Sequence, residues 1–67
     1  MTHRERFDRI SEHRALAAQA VERAFDAACT LGTAEAIDAL YAAETHHQRL
    51  YRLEARVQLA LNNENAR

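Results

Sequence analysis

The feature that most constrains this chain is a single glycine, Gly32, near the middle of a sequence that contains no proline. Glycine and proline are the residues that interrupt helices most strongly, so the chain offers one break between two long uninterrupted segments. Alanine occurs fifteen times, and arginine, glutamate and leucine are frequent, all of them good helix formers. The sequence therefore predicts an all-α fold of two helices joined at the glycine.

Capping residues predict where each helix begins and ends. Thr2 and Glu5 have the spacing of a capping box, and Gly32 can take the left-handed conformation that ends a helix. Thr33 can then cap the second helix. The expected elements of this single hairpin domain, 1–67, are a helix over about 2–30, a turn at 31–33, a helix over about 33–61 and a frayed polar tail at 62–67.

So short a turn forces the two helices to pack antiparallel, and a heptad pattern marks the faces that meet. The many alanines in this seam allow the two backbones to approach closely. The predicted seam positions are Phe7, Ile10, Arg14, Ala17, Val21, Ala24, Ala28 and Leu31 on the first helix, and Thr33, Ala36, Leu40, Ala43, His47, Leu50, Glu54, Val57 and Leu61 on the second.

The apolar stripe is wider than two helices need, which predicts an interface with another helical surface. Burying each large side chain beside the seam is worth roughly 1.5–3 kcal/mol, a sum comparable to the stability of a small domain. We expect a homodimeric four-helix bundle, or docking to a different helical protein, and no enzymatic activity. The predicted interface residues are Phe25, Ile37, Leu40, Tyr51, Leu53 and Val57.

Three polar residues interrupt the seam: Arg14, His47 and Glu54. Antiparallel packing about the central turn brings Arg14 within reach of Glu54, which predicts an ion pair between the helices, with His47 hydrogen-bonded nearby or reaching to solvent. Polar groups of this kind can fix the register of two helices while adding little stability.

A metal-binding helical bundle is a further alternative. Glu44 and His47 are three residues apart, the Glu-x-x-His spacing that places a carboxylate and an imidazole on one face of a helix in carboxylate-bridged metal bundles. Dimerisation would bring two copies of the pair together. The leading interpretation nevertheless needs no cofactor.

Arginines near the two termini raise the alternative of nucleic-acid binding. Because antiparallel packing brings both ends of the chain together, these residues make one end of the hairpin locally basic, although the whole chain has a formal charge of −1. The predicted phosphate-contacting residues are Arg4, Arg6, Arg9, Arg52 and Arg56.

The remaining composition bears on the compartment. Cys29 is the single cysteine, so no disulfide can form within the chain, and a lone thiol fits a reducing environment. No apolar run approaches the ~20 residues of a membrane span, and the first residues lack the apolar stretch of a secretory signal. We expect a cytoplasmic protein that does not engage membranes.

The central turn at Leu31, Gly32 and Thr33, the alternation of small and large seam residues, and the segment Leu50-Tyr51-Arg52 resemble the Rop family of helical hairpins. That resemblance implies a dimeric four-helix bundle and, as the alternative function, a dimeric RNA- or DNA-binding regulator. The size and layout also resemble the small co-chaperones of type III secretion needle subunits, which implies docking to a helical partner through an apolar face.

Overall fold

The computed structural model describes residues 2–66 and consists of two helices, α1 (His3–Leu31) and α2 (Ala34–Asn65). The helices pack against each other along their length as a rod 52 Å long and about 15 Å across. Only Gly32 and Thr33 separate them, so the chain reverses direction and the pair is antiparallel. The predicted all-α helical hairpin is confirmed.

The two threonine caps and the glycine turn form as the sequence predicts. The Thr2 hydroxyl accepts a hydrogen bond from the backbone N–H of Glu5 at 3.1 Å, and the Thr33 hydroxyl accepts one from the N–H of Ala36 at 3.2 Å. Gly32 has φ +62° and donates its N–H to the carbonyl of Ala28 at 2.9 Å, which closes α1. A side chain at this φ would be strained, so the single glycine stands where the turn requires it.

The C-terminal end of α2 differs from the prediction. The tail was expected to fray after Leu61, but α2 continues to Asn65. Leu61 is buried at the open end of the rod, and the Gln58 side-chain amide donates to the Asn62 side-chain oxygen at 2.9 Å. These local contacts offset the low helix propensity of the asparagines. The last residue of the predicted tail, Arg67, lies outside the described residues.

The heptad positions form the contact between the helices, as predicted. The predicted seam residues from Phe7 to Ala28 on α1 and from Ala36 to Leu61 on α2 are all buried or half-buried. Leu31 and Thr33, which were also assigned to the seam, are exposed because they flank the turn, where the helices end and have no partner opposite.

The contact between the two helices buries little side-chain surface. Among the described residues, the buried side chains are Ala17, Ala36 and Leu61, and none is fully enclosed. The accessible surface is 5290 Å², whereas a compact monomer of this mass is expected to expose roughly 4,300 Å². The hairpin thus exposes about 1,000 Å² more than a compact fold, an area close to one partner's share of an ordinary protein interface.

Candidate interaction surfaces

A one-residue step from the seam decides on which side of the rod a side chain lies. Successive residues of an α-helix are rotated by about 100°, so residues directly after a seam position lie on one side of it and residues directly before it lie on the other. An antiparallel pair has an approximate twofold axis normal to the plane of its two helices. The corresponding positions of α1 and α2 therefore share the same side of the rod.

The residues that follow seam positions form a surface that we call the aromatic side. Its large apolar members are exposed: Phe25 follows Ala24, Ile37 follows Ala36, and Tyr51 follows Leu50. Tyr41, which follows Leu40, joins them with 62% of its surface exposed. Charged residues on this side are Asp8, Glu22 and Glu44, together with Arg4, which follows the half-buried His3, one heptad step before Phe7. One cation against three carboxylates gives a formal charge of −2.

The residues that precede seam positions form the opposite surface, which we call the arginine side. It carries five arginines against the single carboxylate of Glu35, for a formal charge of +4 with histidine neutral. His13 and His46 also lie on this side. The five arginines are Arg6, Arg9, Arg23, Arg49 and Arg56.

The predicted interface residues divide between three places. Phe25, Ile37 and Tyr51 lie together on the aromatic side, whereas Leu53 precedes Glu54 and lies on the arginine side. The other two, Leu40 and Val57, are half-buried seam residues that hold the hairpin itself together.

Sequence reasoning missed three exposed apolar residues, of which two lie on these sides and the third, Leu59, lies on the same outer face of α2 as Arg52. Tyr41 belongs to the aromatic side, and Leu16, 60% exposed, belongs to the arginine side. Tyr41 and Leu16 both occupy outer positions of the heptad, farther from the seam than the flanking positions of Phe25 and Leu53. Counting one residue before and after every seam position would have found them, because that rule includes the outer positions of each helix as well.

The arginines predicted to contact phosphate do not share one surface. Arg6, Arg9 and Arg56 lie on the arginine side. Arg4 lies on the aromatic side, where its guanidinium is 3.6 Å from the carboxylate of Asp8. Arg52 points outward from α2 beside a shallow depression lined by His47, Gln48, Tyr51 and itself.

The predicted ion pair between the helices is present. The Arg14 guanidinium donates to the Glu54 carboxylate at 2.8 Å, with the two side chains 33% and 18% exposed. The hydrogen bond from Arg14 lowers the pKa of Glu54, and the Ser11 hydroxyl adds to this, although partial burial opposes it. This pair links α1 to α2 between the two sides.

Glu44 and His47 lie one turn apart on α2, with Glu44 exposed and His47 half-buried in the seam. Within residues 2–66, no three side chains of the metal-binding types come together. A metal centre built on this pair would therefore draw its further ligands from a second chain.

Neither helix contains, within the described residues, a stretch long and apolar enough to cross a membrane. Comparison of the chain with protein-family models, with curated proteins and with solved structures finds no match.

Proposed function

We propose that this hairpin is a non-enzymatic protein-interaction module that docks through its aromatic side. The observation that carries the proposal is the exposure of Phe25, Ile37, Tyr41 and Tyr51 on one side of a rod whose own seam is nearly all half-buried. Aromatic side chains are enriched at protein interfaces because they bury a large area with few rotatable bonds. Covering these four residues supplies the apolar core that the isolated hairpin lacks.

The occupant that we propose is a second copy of the chain, which would complete a four-helix bundle. A hairpin of this length exposes about 1,000 Å² in excess of a compact fold, and a typical interface buries about 800 Å² per partner. A symmetric contact repeats each residue, so four side chains on each copy cover one another.

The charges favour this choice of surface. Two arginine sides facing each other would oppose formal charges of +4 and +4, whereas two aromatic sides bring together −2 and −2 that are spread over the rod. Widely spaced surface charges are screened within about 10 Å at ordinary salt. Of the two symmetric arrangements, the aromatic one therefore costs less electrostatic energy and buries more apolar surface.

Sedimentation equilibrium across micromolar concentrations, with circular dichroism on the same samples, tests the proposal. Wild-type protein should be a helical dimer. The double variant Phe25→Ser with Tyr41→Ser should weaken the dimer at least about 100-fold, because four side chains are lost per symmetric complex and each tenfold needs about 1.4 kcal/mol. Leu16→Ser, a control on the arginine side with the same exposure as Tyr41, should leave dimerisation unchanged.

A stable helical monomer at high concentration would contradict self-association. A chain that is poorly helical alone and gains helix only with another helical protein would instead assign the aromatic side to a different partner. Equal weakening by Leu16→Ser would show that the aromatic side has no special role.

A further inference from the structure

We infer that the arginine side binds the phosphate backbone of a double-stranded nucleic acid. This inference goes beyond the proposed docking function, since it concerns the opposite surface of the rod and requires only one hairpin. The chain as a whole carries a formal charge of −1. Segregation of charge between the two sides, rather than net charge, creates the basic surface.

Four of the five arginines are arranged along the two outer edges of the surface. On α1, Arg9 and Arg23 are fourteen residues apart, which is about 21 Å at 1.5 Å per residue. On α2, Arg49 and Arg56 are seven residues apart, or about 10 Å. Arg6 lies next to the seam near the open end. The basic residues thus follow the rod for several turns, an extent that suits a polymer of phosphates.

These guanidinium groups are available to a ligand. Within residues 2–66, the ion pairs are Arg4 with Asp8 and Arg14 with Glu54, so none of the five arginines is held by a carboxylate. Every cation here is arginine, because the chain contains no lysine. A planar guanidinium can donate two parallel hydrogen bonds to one phosphate, which makes arginine well suited to backbone contacts.

The side chains between the two edges favour a duplex over a single strand. Those next to the seam are mostly small or basic, and the large apolar ones on this side are Leu16 and Leu53. Single-strand binders stack bases on aromatic rings, and the exposed aromatic rings Phe25, Tyr41 and Tyr51 all lie on the other side. A helical face that offers arginines and no aromatic ring suits the outside of a duplex, where phosphates are regularly spaced. The residues next to the seam here are Arg6, His13, Ala20, Ala27, Ala39, His46, Leu53 and Ala60.

The two proposals are compatible but independent. If aromatic sides pair in a dimer, both arginine sides face outward on opposite surfaces of the bundle. If no dimer forms, each hairpin still presents its whole arginine side. Loss of dimerisation and loss of nucleic-acid binding therefore report on different surfaces.

Fluorescence anisotropy with labelled 20-base-pair DNA and RNA duplexes of mixed sequence, at 50 mM and 200 mM salt, tests this inference. Five phosphate contacts predict a slope of log affinity against log salt near −4 to −5 on DNA. The variant Arg9→Gln with Arg56→Gln should bind at least about tenfold more weakly at 50 mM salt, and its slope should be smaller by about two.

The matched control is Arg4→Gln with Arg52→Gln, which removes the same number of charges from residues outside the arginine side. It should change affinity less than about threefold, and circular dichroism should show both variants to be as helical as wild type. The absence of wild-type binding at 50 mM salt would overturn the inference, as would equal losses in the two double variants. Arginine-dependent binding of poly-glutamate with no binding of either duplex would assign the surface to an acidic protein instead.

Discussion

The two sides of this rod are built from the same helices and face away from a common seam, yet their chemistry differs. The aromatic side carries Phe25, Tyr41 and Tyr51, with three carboxylates and one arginine. The arginine side carries five arginines and one carboxylate. The difference arises from a single-residue offset: a residue just after a seam position belongs to one surface and a residue just before it to the other. A near-neutral chain can therefore hold two surfaces that suit different partners.

The composition of the seam bears on why one of these sides exposes large apolar residues. In the half of the rod near the turn, four seam residues are alanines, Ala24, Ala28, Ala36 and Ala43, and the larger seam residues are Val21 and Leu40. Three further bulky residues of that half lie outside the seam and are exposed: Phe25, Ile37 and Tyr41. Close packing of alanines brings the backbones together and leaves these larger apolar groups exposed on one side of the rod.

The largest difference between the two sides is expected when the same new positive charge is placed on each of them in turn. Tyr41→Arg should weaken self-association at least about 100-fold, because a symmetric dimer would bury two new cations at a contact that loses two aromatic rings. Leu16→Arg, at a position of nearly equal exposure, should leave self-association unchanged and strengthen duplex binding several-fold. Sedimentation equilibrium and fluorescence anisotropy on the same preparations measure both effects. A similar loss of dimer in the two variants would show that the sides are not distinct.

A substitution in the seam, which belongs to neither side, is expected to have a smaller effect, and that effect is on the free energy of unfolding. Glu54→Gln removes the charge that pairs with Arg14 and should cost about 1 kcal/mol in the free energy of unfolding, the upper range for a partly exposed pair. Urea unfolding at fixed protein concentration measures this cost. Glu12→Gln, at an exposed position on α1, is the control and should change stability by less than about half as much.

The same pair predicts a pH dependence with a definite sign. The pKa of Glu54 is lowered from 4.5 in the folded state, so on acidification the unfolded chain takes up the proton first. The pair therefore contributes its full stability above pH 4.5, and this contribution is lost as pH falls through the folded pKa. Comparing wild type with Glu54→Gln from pH 7 to pH 3 isolates the effect. Parallel curves for the two proteins would contradict it.

In the proposed dimer, the turns of the two hairpins can lie at the same end or at opposite ends, and the aromatic side predicts which. Phe25, Ile37 and Tyr41 lie toward the turn, so a dimer that pairs them places both turns at the same end. In such a dimer, we expect apolar burial near the turns to outweigh the screened repulsion of nearby carboxylates such as Glu22 and Glu44. If the turns lay at opposite ends of the dimer, the apolar residues near the turn of one copy would lie against the polar residues Ser11 and Gln58 of the other.

The native thiol reports on that orientation without mutation. Cys29 is exposed on the aromatic side, about twelve residues or 18 Å from the middle of the rod. Nitroxide labels on two copies should be separated by the bundle width of about 20 Å if the turns coincide. They would be about 36 Å apart along the rod axis if the turns lie at opposite ends. A pulsed dipolar distance near the larger value would contradict the same-end arrangement.

The sequence alone determined the hairpin. Its absence of proline and its one glycine predicted two helices and the turn, its threonines predicted the caps, and its heptads predicted which residues meet, including Arg14 and Glu54. These features depend on short-range hydrogen bonds and on the helical period, both of which can be read from neighbouring residues. The end of α2 was less predictable, because burial of Leu61 and the contact of Asn62 with Gln58 extend a segment of low helix propensity.

The tertiary structure decided how far each side chain is exposed, and it confirmed the seam from which the grouping of side chains into surfaces follows. The sequence analysis grouped Leu53 with Phe25 because both flank the seam. It grouped Arg4 with Arg6 because both lie near the same end of the hairpin. Packing separates both pairs, since the side of the rod depends on the angular position of a residue relative to the partner helix. That partner lies dozens of residues away along the chain. Whether a segment forms a helix depends on its neighbouring residues, whereas a surface shared by two helices exists only once they are packed together.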